Sequence, residues 1–589
     1  MTLFHNPLGI KIPKQIYPSG SSFSTQPKKV EQWLNSLPKA HLGETSRQLY
    51  SALLEINRIQ MAPSKRVELL TLLMPSLRYV TRALKAHYVG KSFPLTGKNR
   101  KVADLAREIN SECAIGFKIV VENIVTTDDE APQNKLIGLS IYNAINSLGD
   151  ILLHSYQIYE ACPDTVWLEI HTLYKYAARH QLHTSRLPVE EGEAGDTISD
   201  LYKRILLVAL VNPYQLAQGE VEKTVQILKA WTPLCNLIRP IDPQHPHGYF
   251  AVDLSRDEPP AYLAYRNPCK EECLVLDAQN LTKHLRNYWL SIKKRQELPP
   301  PGVSSDTLKR LLRGLGLLAR RGFTRRGRTK RLHVTVGLLA THRFIRKLGD
   351  KRGATSQPRH SDKATGLGSI TQESSLAQFY SMPVTHADSR NSQPETWDLS
   401  YVAPEPRSKR VELLPAANVE SVGGPQLFSV TNESAGGYCL LGKQDGAMST
   451  HVGDVICIHE GDPRQSANHS ICAVRWMKNI GEMMVLGIEI LAPCAEAIYT
   501  RNESATGQFL ESLLLPSIPA INRSASIITQ SLYNEGDLLT LRTTAGLQRV
   551  VLTHSQEVSS GFRQFEFLSA DEAPAQHEAL NFDTIWASL

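Results

Sequence analysis

Val430-Thr431-Asn432-Glu433-Ser434-Ala435-Gly436-Gly437-Tyr438-Cys439-Leu440-Leu441 reads as strand, turn, strand. Apolar residues flank a core of short polar side chains that can bond their own backbone. The two glycines permit positive φ, so the chain can reverse tightly while turning polar groups outward. Taken alone, Asn-x-Ser-x-x-Gly means only a hairpin. The residues that follow extend it: His451–Ile458 is a turn leading into an alternating strand, and Ile471–Trp476 is another. A turn at Asn479–Gly481 then leads into Met484–Leu491.

A second feature lies far upstream. Arg320–Arg331 carries six arginines and one lysine in twelve positions. It runs directly into Leu332–His342, whose alternating start and apolar continuation read as a strand. The plain reading of the run is a solvated basic linker beside an ordinary hairpin.

Taken together, these segments resemble the PilZ domain, a small β-barrel family that binds cyclic di-GMP. Its turn motif, Asp/Asn-x-Ser-x-x-Gly, is matched by Asn432, Ser434 and Gly437, and the Val474-Arg475-Trp476 and Gly487-Ile488-Glu489-Ile490 strands are also similar to it. The other half of a PilZ site is Arg-x-x-x-Arg just before the first strand. Arg321 and Arg325 have that spacing but sit early, whereas Arg326, Arg328 and Arg331 abut the expected strand. The resemblance therefore implies cyclic di-GMP as ligand. The ligand-binding residues it implies are Arg326, Arg328, Arg331, Asn432, Ser434 and Gly437, with Arg321 and Arg325 as secondary candidates. Arg407-Ser408-Lys409-Arg410 is a further cluster closer to Asn432, but the first is richer in arginine and its strand is better formed.

The ligand's chemistry suits these residue types. Guanidinium forks bind phosphate oxygens bidentately, match the O6/N7 edge of guanine and stack on a base, so arginine serves both halves of a cyclic dinucleotide. Asn432 and Ser434 would complete hydrogen bonds to a guanine or the ribose-phosphate ring.

The rest of the chain supports a multidomain α+β organisation. Its 589 residues suit three or four domains. Residues 1–28 are rich in Pro, Ser and Gly and read as an irregular tail. Residues 29–240 are a nearly continuous array of helical patterns that must pack together to bury their apolar faces, giving an all-helical domain. Residues 241–304 read as a connecting α/β module, and 305–345 with 421–495 as the PilZ-like barrel. Between these, 346–420 is a polar insertion whose composition argues for flexibility. Short strands in 496–589 predict a further small β domain, a barrel or sandwich.

Composition excludes several function classes. A net charge of +7 concentrated in one run is a local basic site, and only Phe323 interrupts that run, which argues against a nucleic-acid reader with interleaved aromatics. No phosphate loop, His-Glu-x-x-His or nucleophile elbow is present, so the chain reads as non-enzymatic with no cofactor. Cys269-x-x-x-Cys273 beside His245 and His247 fits no standard zinc spacing, so no metal is expected. The nine cysteines read as unpaired thiols, Met1–Lys14 lacks an apolar targeting core, and no membrane span is evident. The reading that follows is a cytoplasmic receptor that binds cyclic di-GMP and relays it to a protein partner through the helical domain. Its rival is a degenerate PilZ scaffold acting only by protein–protein interaction.

Overall fold

The computed structural model describes residues 7–16, 23–91, 93–127, 134–187, 195–240, 248–263, 272–293, 305–316, 326–355, 425–443, 449–461, 469–503, 508–519, 523–530, 532–558 and 561–570. The chain forms two compact units. The first begins with eight helices, namely α1 (Pro27–Ser36), α2 (Leu42–Ile56), α3 (Pro63–Lys85), α4 (Gly97–Thr127), α5 (Asn134–Gln157), α6 (Val166–Arg179), α7 (Ile198–Leu210) and α8 (Gln218–Trp231). Their starts carry ordinary signals. Pro63 opens α3, where its missing N–H costs nothing, and Thr197 Oγ1 caps α7 by accepting from Asp200 N at 2.9 Å. Arg66, fully buried, donates to the Ile56 and Ile59 carbonyls at 2.6 Å each and so satisfies groups left open at the end of α2.

α5 is the centre of this unit and packs against α3, α4, α6, α7 and α8. It is also the one described helix long and apolar enough to cross a membrane, with a mean hydropathy of 1.4 over its best window. That window was not evident in the sequence as a span, and 61% of it is buried inside the helical array, as expected of a core helix. The segment read as a tail is partly docked. Ile10 is 1% exposed, and its N–H donates to Glu122 Oε1 at 3.2 Å. The next residue, Lys11, donates from its backbone to Glu169 Oε1 at 3.0 Å, and Glu169 in turn pairs with buried Lys118 at 2.7 Å.

A four-stranded antiparallel sheet follows, formed by β1 (Asn236–Ile238), β2 (Tyr249–Asp253), β3 (Ala261–Tyr262) and β4 (Cys273–Asp277) in the order β1-β4-β2-β3. The helices α9 (Gln279–Lys293) and α10 (Ser305–Gly316) pack on each other in the same unit. Cys273 departs from the reading of unpaired thiols, being disulfide-bonded. Cys113, Cys235, Cys439, Cys457 and Cys472 are buried thiols outside any disulfide.

The second unit holds two closed six-stranded antiparallel barrels. The first is built from β5 (Arg326–Val336), β6 (Gln426–Ser434), β7 (Gly437–Lys443), β8 (Val455–His459), β9 (His469–Ile480) and β10 (Met483–Ala492), in the order β10-β7-β6-β5-β8-β9. One expectation is corrected here. The strand read over Leu332–His342 begins earlier and stops at Val336, because Gly337 takes a φ of +92° and turns the chain into α11 (Leu338–Thr355). The apolar run Leu338-Leu339-Ala340 is thus the first turn of a helix, and a short apolar run does not distinguish the two. α11 also takes in residues 346–355 of the expected insertion; residues 356–424 lie outside the described residues.

The second barrel comprises β11 (Glu496–Asn502), β12 (Leu510–Leu515), β13 (Ser526–Thr529), β14 (Leu538–Thr543), β15 (Gly546–Val558) and β16 (Arg563–Ser569), in the order β11-β12-β13-β16-β15-β14. Its interior is filled by Ile498, Ile527, Leu539, Leu541, Val550 and Phe565. A separate core joins the two barrels: Val455, Cys457 and Ile471 of the first meet Leu513, Leu515 and Ile528 of the second, with Leu338 and Ile345 of α11 in the same cluster.

Candidate ligand site on the middle barrel

The two halves read from the sequence are neighbouring strands. Antiparallel pairing places Arg326 opposite Glu433 and Gly327 opposite Asn432. After a bulge, Lys330 faces Val430 and Arg331 faces Ser429. β6 has its own irregularity against β7 between Val430 and Asn432, so both strands bend at the level of the motif. Arg328 lies within the β5 bulge. Arg331 is exposed on the strand, its partner Ser429 three residues before Asn432, which is about 10 Å along β6. Arg326 therefore meets the motif in backbone register, Arg328 falls in the bulge that follows, and Arg331 stands further along the same strand. Arg321, Arg325 and the Arg407–Arg410 cluster lie outside the described residues.

The hairpin is tight. Ser434 pairs with Gly437 across a two-residue turn, and Ser434 Oγ donates to the Gly437 carbonyl at 3.3 Å. Thr431 Oγ1 donates to the Cys439 carbonyl at 3.1 Å, a second stitch across the pair. Asn432 and Ser434 are partly exposed, while Glu433 between them is buried, as the pleat requires. Gly437 is needed for a different reason from the turn: its φ is not left-handed, but a Cβ there would lie 1.9 Å from the Ile488 carbonyl oxygen of β10. β10 closes the barrel against β7 with Glu489 opposite Gly437, and Ile490 N–H donates to the Gly436 carbonyl at 2.9 Å. The motif glycine thus lets the barrel close.

Two ion-paired cations flank this hairpin and were not singled out from the sequence. Lys330 Nζ lies 3.4 Å from Glu433 Oε2, pairs with Glu460, and sits 5.0 Å from the Tyr438 ring centroid. Burial pulls the Lys330 ammonium down, but the Glu460 hydrogen bond and the charges of Tyr438, Glu460 and Glu433 outweigh it, leaving its pKa above the ordinary lysine value. Burial raises the Tyr438 phenol, with Lys330 opposing. On the far side, Arg475 Nε donates to Glu489 Oε2 at 2.6 Å, beside Gly437 in register. This second pair was legible in principle, since the Gly481 turn fixes β9 against β10 and brings the arginine of the Val-Arg-Trp strand near the glutamate of Gly-Ile-Glu-Ile. The Lys330 cluster gave no such signal, because Glu433 reaches it from β6 and Glu460 from the bend after β8.

Three sequence families match the chain in succession. Those described as "Cyclic-di-GMP receptor FimW, N-terminal domain", its "middle PilZ domain" and the "FimW C-terminal beta-barrel domain" match residues 28–243, 249–497 and 495–569. The chain belongs to this three-domain PilZ family. The cyclic-di-GMP receptor FimW of Pseudomonas aeruginosa is 28% identical to it over 637 aligned positions, covering 99% of each chain. No solved structure matches it. The resemblance read from Asn432, Ser434 and Gly437 thus holds for the middle domain, and the helical domain before it and the barrel after it belong to the same family architecture. The middle match begins at residue 249, so it includes β2–β4, α9 and α10 of the first compact unit as well as the barrel.

Proposed function

We propose that this chain is a non-enzymatic cyclic di-GMP receptor whose ligand lies on the β5–β6–β7 surface of the middle barrel, and that it passes the signal to a protein partner in the cytoplasm through its helical domain. The observation that carries the reading is the register of Arg326 and Gly327 against Glu433 and Asn432, which joins an arginine segment and a hairpin motif far apart in the chain. The likeness to a named cyclic-di-GMP receptor along the full length supports the ligand. In this reading Arg326, Arg328 and Arg331 hold phosphates and guanine edges, Arg321 and Arg325 are the reserve cations, and Asn432 and Ser434 supply hydrogen bonds. Gly437 serves by letting β10 close against the hairpin that carries them. Seven like charges between Arg320 and Arg331 repel one another, and two ligand phosphates relieve that repulsion.

Calorimetry with cyclic di-GMP tests this on the intact protein, on the triple variant Arg326→Ala/Arg328→Ala/Arg331→Ala and on Ser434→Ala. Hydrogen bonds to charged groups contribute about 1.5–3 kcal/mol each, so the triple variant should lose binding by more than about a thousandfold, and Ser434→Ala by about tenfold. GTP and single-stranded oligonucleotide should not compete. A folded wild-type protein that shows no heat with cyclic di-GMP would overturn the receptor reading in favour of a scaffold that acts by protein contact alone.

A further inference from the structure

The outer face of the last barrel carries a line of arginines and aromatic rings that was not singled out from the sequence. Tyr499 and Arg501, two residues apart on β11, belong to the same face of the sheet. Arg542 of β14 stands opposite Tyr499, and Leu547 of β15 stands opposite Arg542. Phe509, just before β12, and Arg346 of α11 complete the line. The Arg542 guanidinium lies 4.5 Å from the Tyr499 ring centroid and 4.7 Å from that of Phe509. Arg501 lies 4.8 Å from the Phe509 centroid, and Arg346 lies 5.8 Å from that of Tyr499. Each ring therefore holds two guanidinium groups, in the order Arg346, Tyr499, Arg542, Phe509, Arg501.

These three arginines are exposed, and no carboxylate pairs with them. Among the described residues Arg501 and Arg542 make no ion pair or side-chain hydrogen bond, and Arg346 donates to the Tyr499 hydroxyl. The nearby carboxylates are engaged elsewhere or stand apart. Glu503 accepts from Arg549 Nε at 2.8 Å and from Thr540 Oγ1 at 2.9 Å, and Glu496 accepts from Thr544 Oγ1 at 2.7 Å. Glu511 faces Tyr499 from β12, and among the described residues no ion pair joins it to the line. Like charges along one strip repel, so the strip favours an anion. A guanidinium over a ring uses its flat face there and keeps its edge N–H donors for an acceptor. The line is thus a row of positioned cationic forks without counter-ions.

We propose that this face docks an acidic peptide segment of a partner protein, with peptide carboxylates on Arg346, Arg501 and Arg542 and an apolar residue against Leu547. Charge complementarity requires an anion, and carboxylates match guanidinium forks bidentately. Alternate side chains of an extended peptide stand about 7 Å apart, the same spacing as Tyr499 and Arg501 along β11, so successive carboxylates can meet successive cations. Leu547, 70% exposed, supplies an apolar contact beside Arg542. A single-stranded nucleic acid would need an open ring for each base, whereas Tyr499 and Phe509 already hold two guanidinium groups each. The barrel is closed and offers no strand edge for a peptide to extend, so recognition falls to side chains on its face. None of the residues assigned to cyclic di-GMP takes part.

The test is fluorescence anisotropy on the intact protein at low ionic strength. The probes are a labelled, capped peptide with glutamates at alternate positions around a central leucine, its glutamine analogue, and a labelled oligothymidylate. Saturable binding of the glutamate peptide, none of the glutamine analogue, and a loss of about tenfold or more in Arg346→Gln/Arg501→Gln/Arg542→Gln support the site. Arg346→Lys/Arg501→Lys/Arg542→Lys keeps the charge but not the fork, and should weaken binding by about threefold or more. The replaced side chains are exposed, so both variants stay folded, which circular dichroism verifies. Equal binding by wild type and either triple variant, equal binding of the two peptides, or no saturable binding of the glutamate peptide overturns the proposal. Oligothymidylate that binds as tightly as the peptide and is lost in the glutamine variant overturns it in favour of single-stranded nucleic acid. None of these outcomes depends on whether cyclic di-GMP binds, because Arg326, Arg328 and Arg331 are unchanged in every variant.

Discussion

Replacing Gly437 by alanine separates the two roles a motif glycine can have. The added Cβ would stand 1.9 Å from the Ile488 carbonyl oxygen, and both atoms belong to backbone that cannot rotate away. Either β7 or β10 must move. Inserting one carbon into tight packing costs about 1–3 kcal/mol. Separating the strands also strains the ladder at the Gly437–Glu489 and Tyr438–Ile488 pairs, each hydrogen bond contributing about 1 kcal/mol. A total of about 3 kcal/mol is roughly a hundredfold in the opening equilibrium. Native-state hydrogen exchange read by mass spectrometry is the suitable assay, because it resolves one barrel within a multidomain chain. Peptides covering Gly437–Lys443 and Met483–Ala492 should exchange roughly a hundred times faster in Gly437→Ala, while peptides of α3 and α5 stay unchanged. Ser434→Ala, which loses only the 3.3 Å bond to the Gly437 carbonyl, should leave exchange near wild type. If Gly437→Ala protects β7 and β10 as well as wild type does, the close approach is not a constraint and the glycine must be explained through the ligand instead.

Two further outcomes follow from the helical unit. Burial pushes the His154 imidazole down to about 3, so between its ordinary value of 6.5 and about 3 the unfolded chain binds a proton that the folded chain refuses. Stability should therefore fall by about 1.4 kcal/mol per pH unit as pH drops through that window, and His154→Gln should flatten the acid slope of Tm for the helical unit; an unchanged slope refutes the assignment. Ile10→Ala should destabilise the same unit by about 2–4 kcal/mol in urea unfolding, because Ile10 is 1% exposed; a neutral effect would mean the docked N-terminal segment adds nothing to the fold.

The helices were legible because their apolar residues recur at three and four over long windows, and α2 to α8 all fall within the array read over residues 29–240. The hairpin was legible because Ser434, Gly436 and Gly437 are turn chemistry. What sequence could not supply is contact between distant segments. Ile10 lies among Pro and Ser residues and looks like tail, yet two carboxylates from α4 and α6 take the backbone N–H groups around it. Glu433 looks like a solvated strand residue until Lys330 arrives from β5. Leu338–His342 failed for a local reason: five residues carry too little period to tell strand from helix, and Gly337 was the break that went unread. For the site, residue types were readable, whereas the order of arginines along β5 depends on a bulge that spacing rules do not foresee.

The shared core around α11 bears on how modular this protein is. Sequence families draw a border at residues 495–497, as though the last barrel were a detachable cassette. Physically, Leu513, Leu515 and Ile528 beyond that border and Val455, Cys457 and Ile471 before it shield one another, with Leu338 and Ile345 sealed between them. Trimming the chain at the border, or grafting the last barrel onto another protein, would lay two greasy faces bare and leave α11 with half its seat. The heritable unit ends at that border and the foldable unit does not, so substitutions in Leu513 or Leu515 are expected to be matched by changes on β8 and α11 and not only within their own barrel.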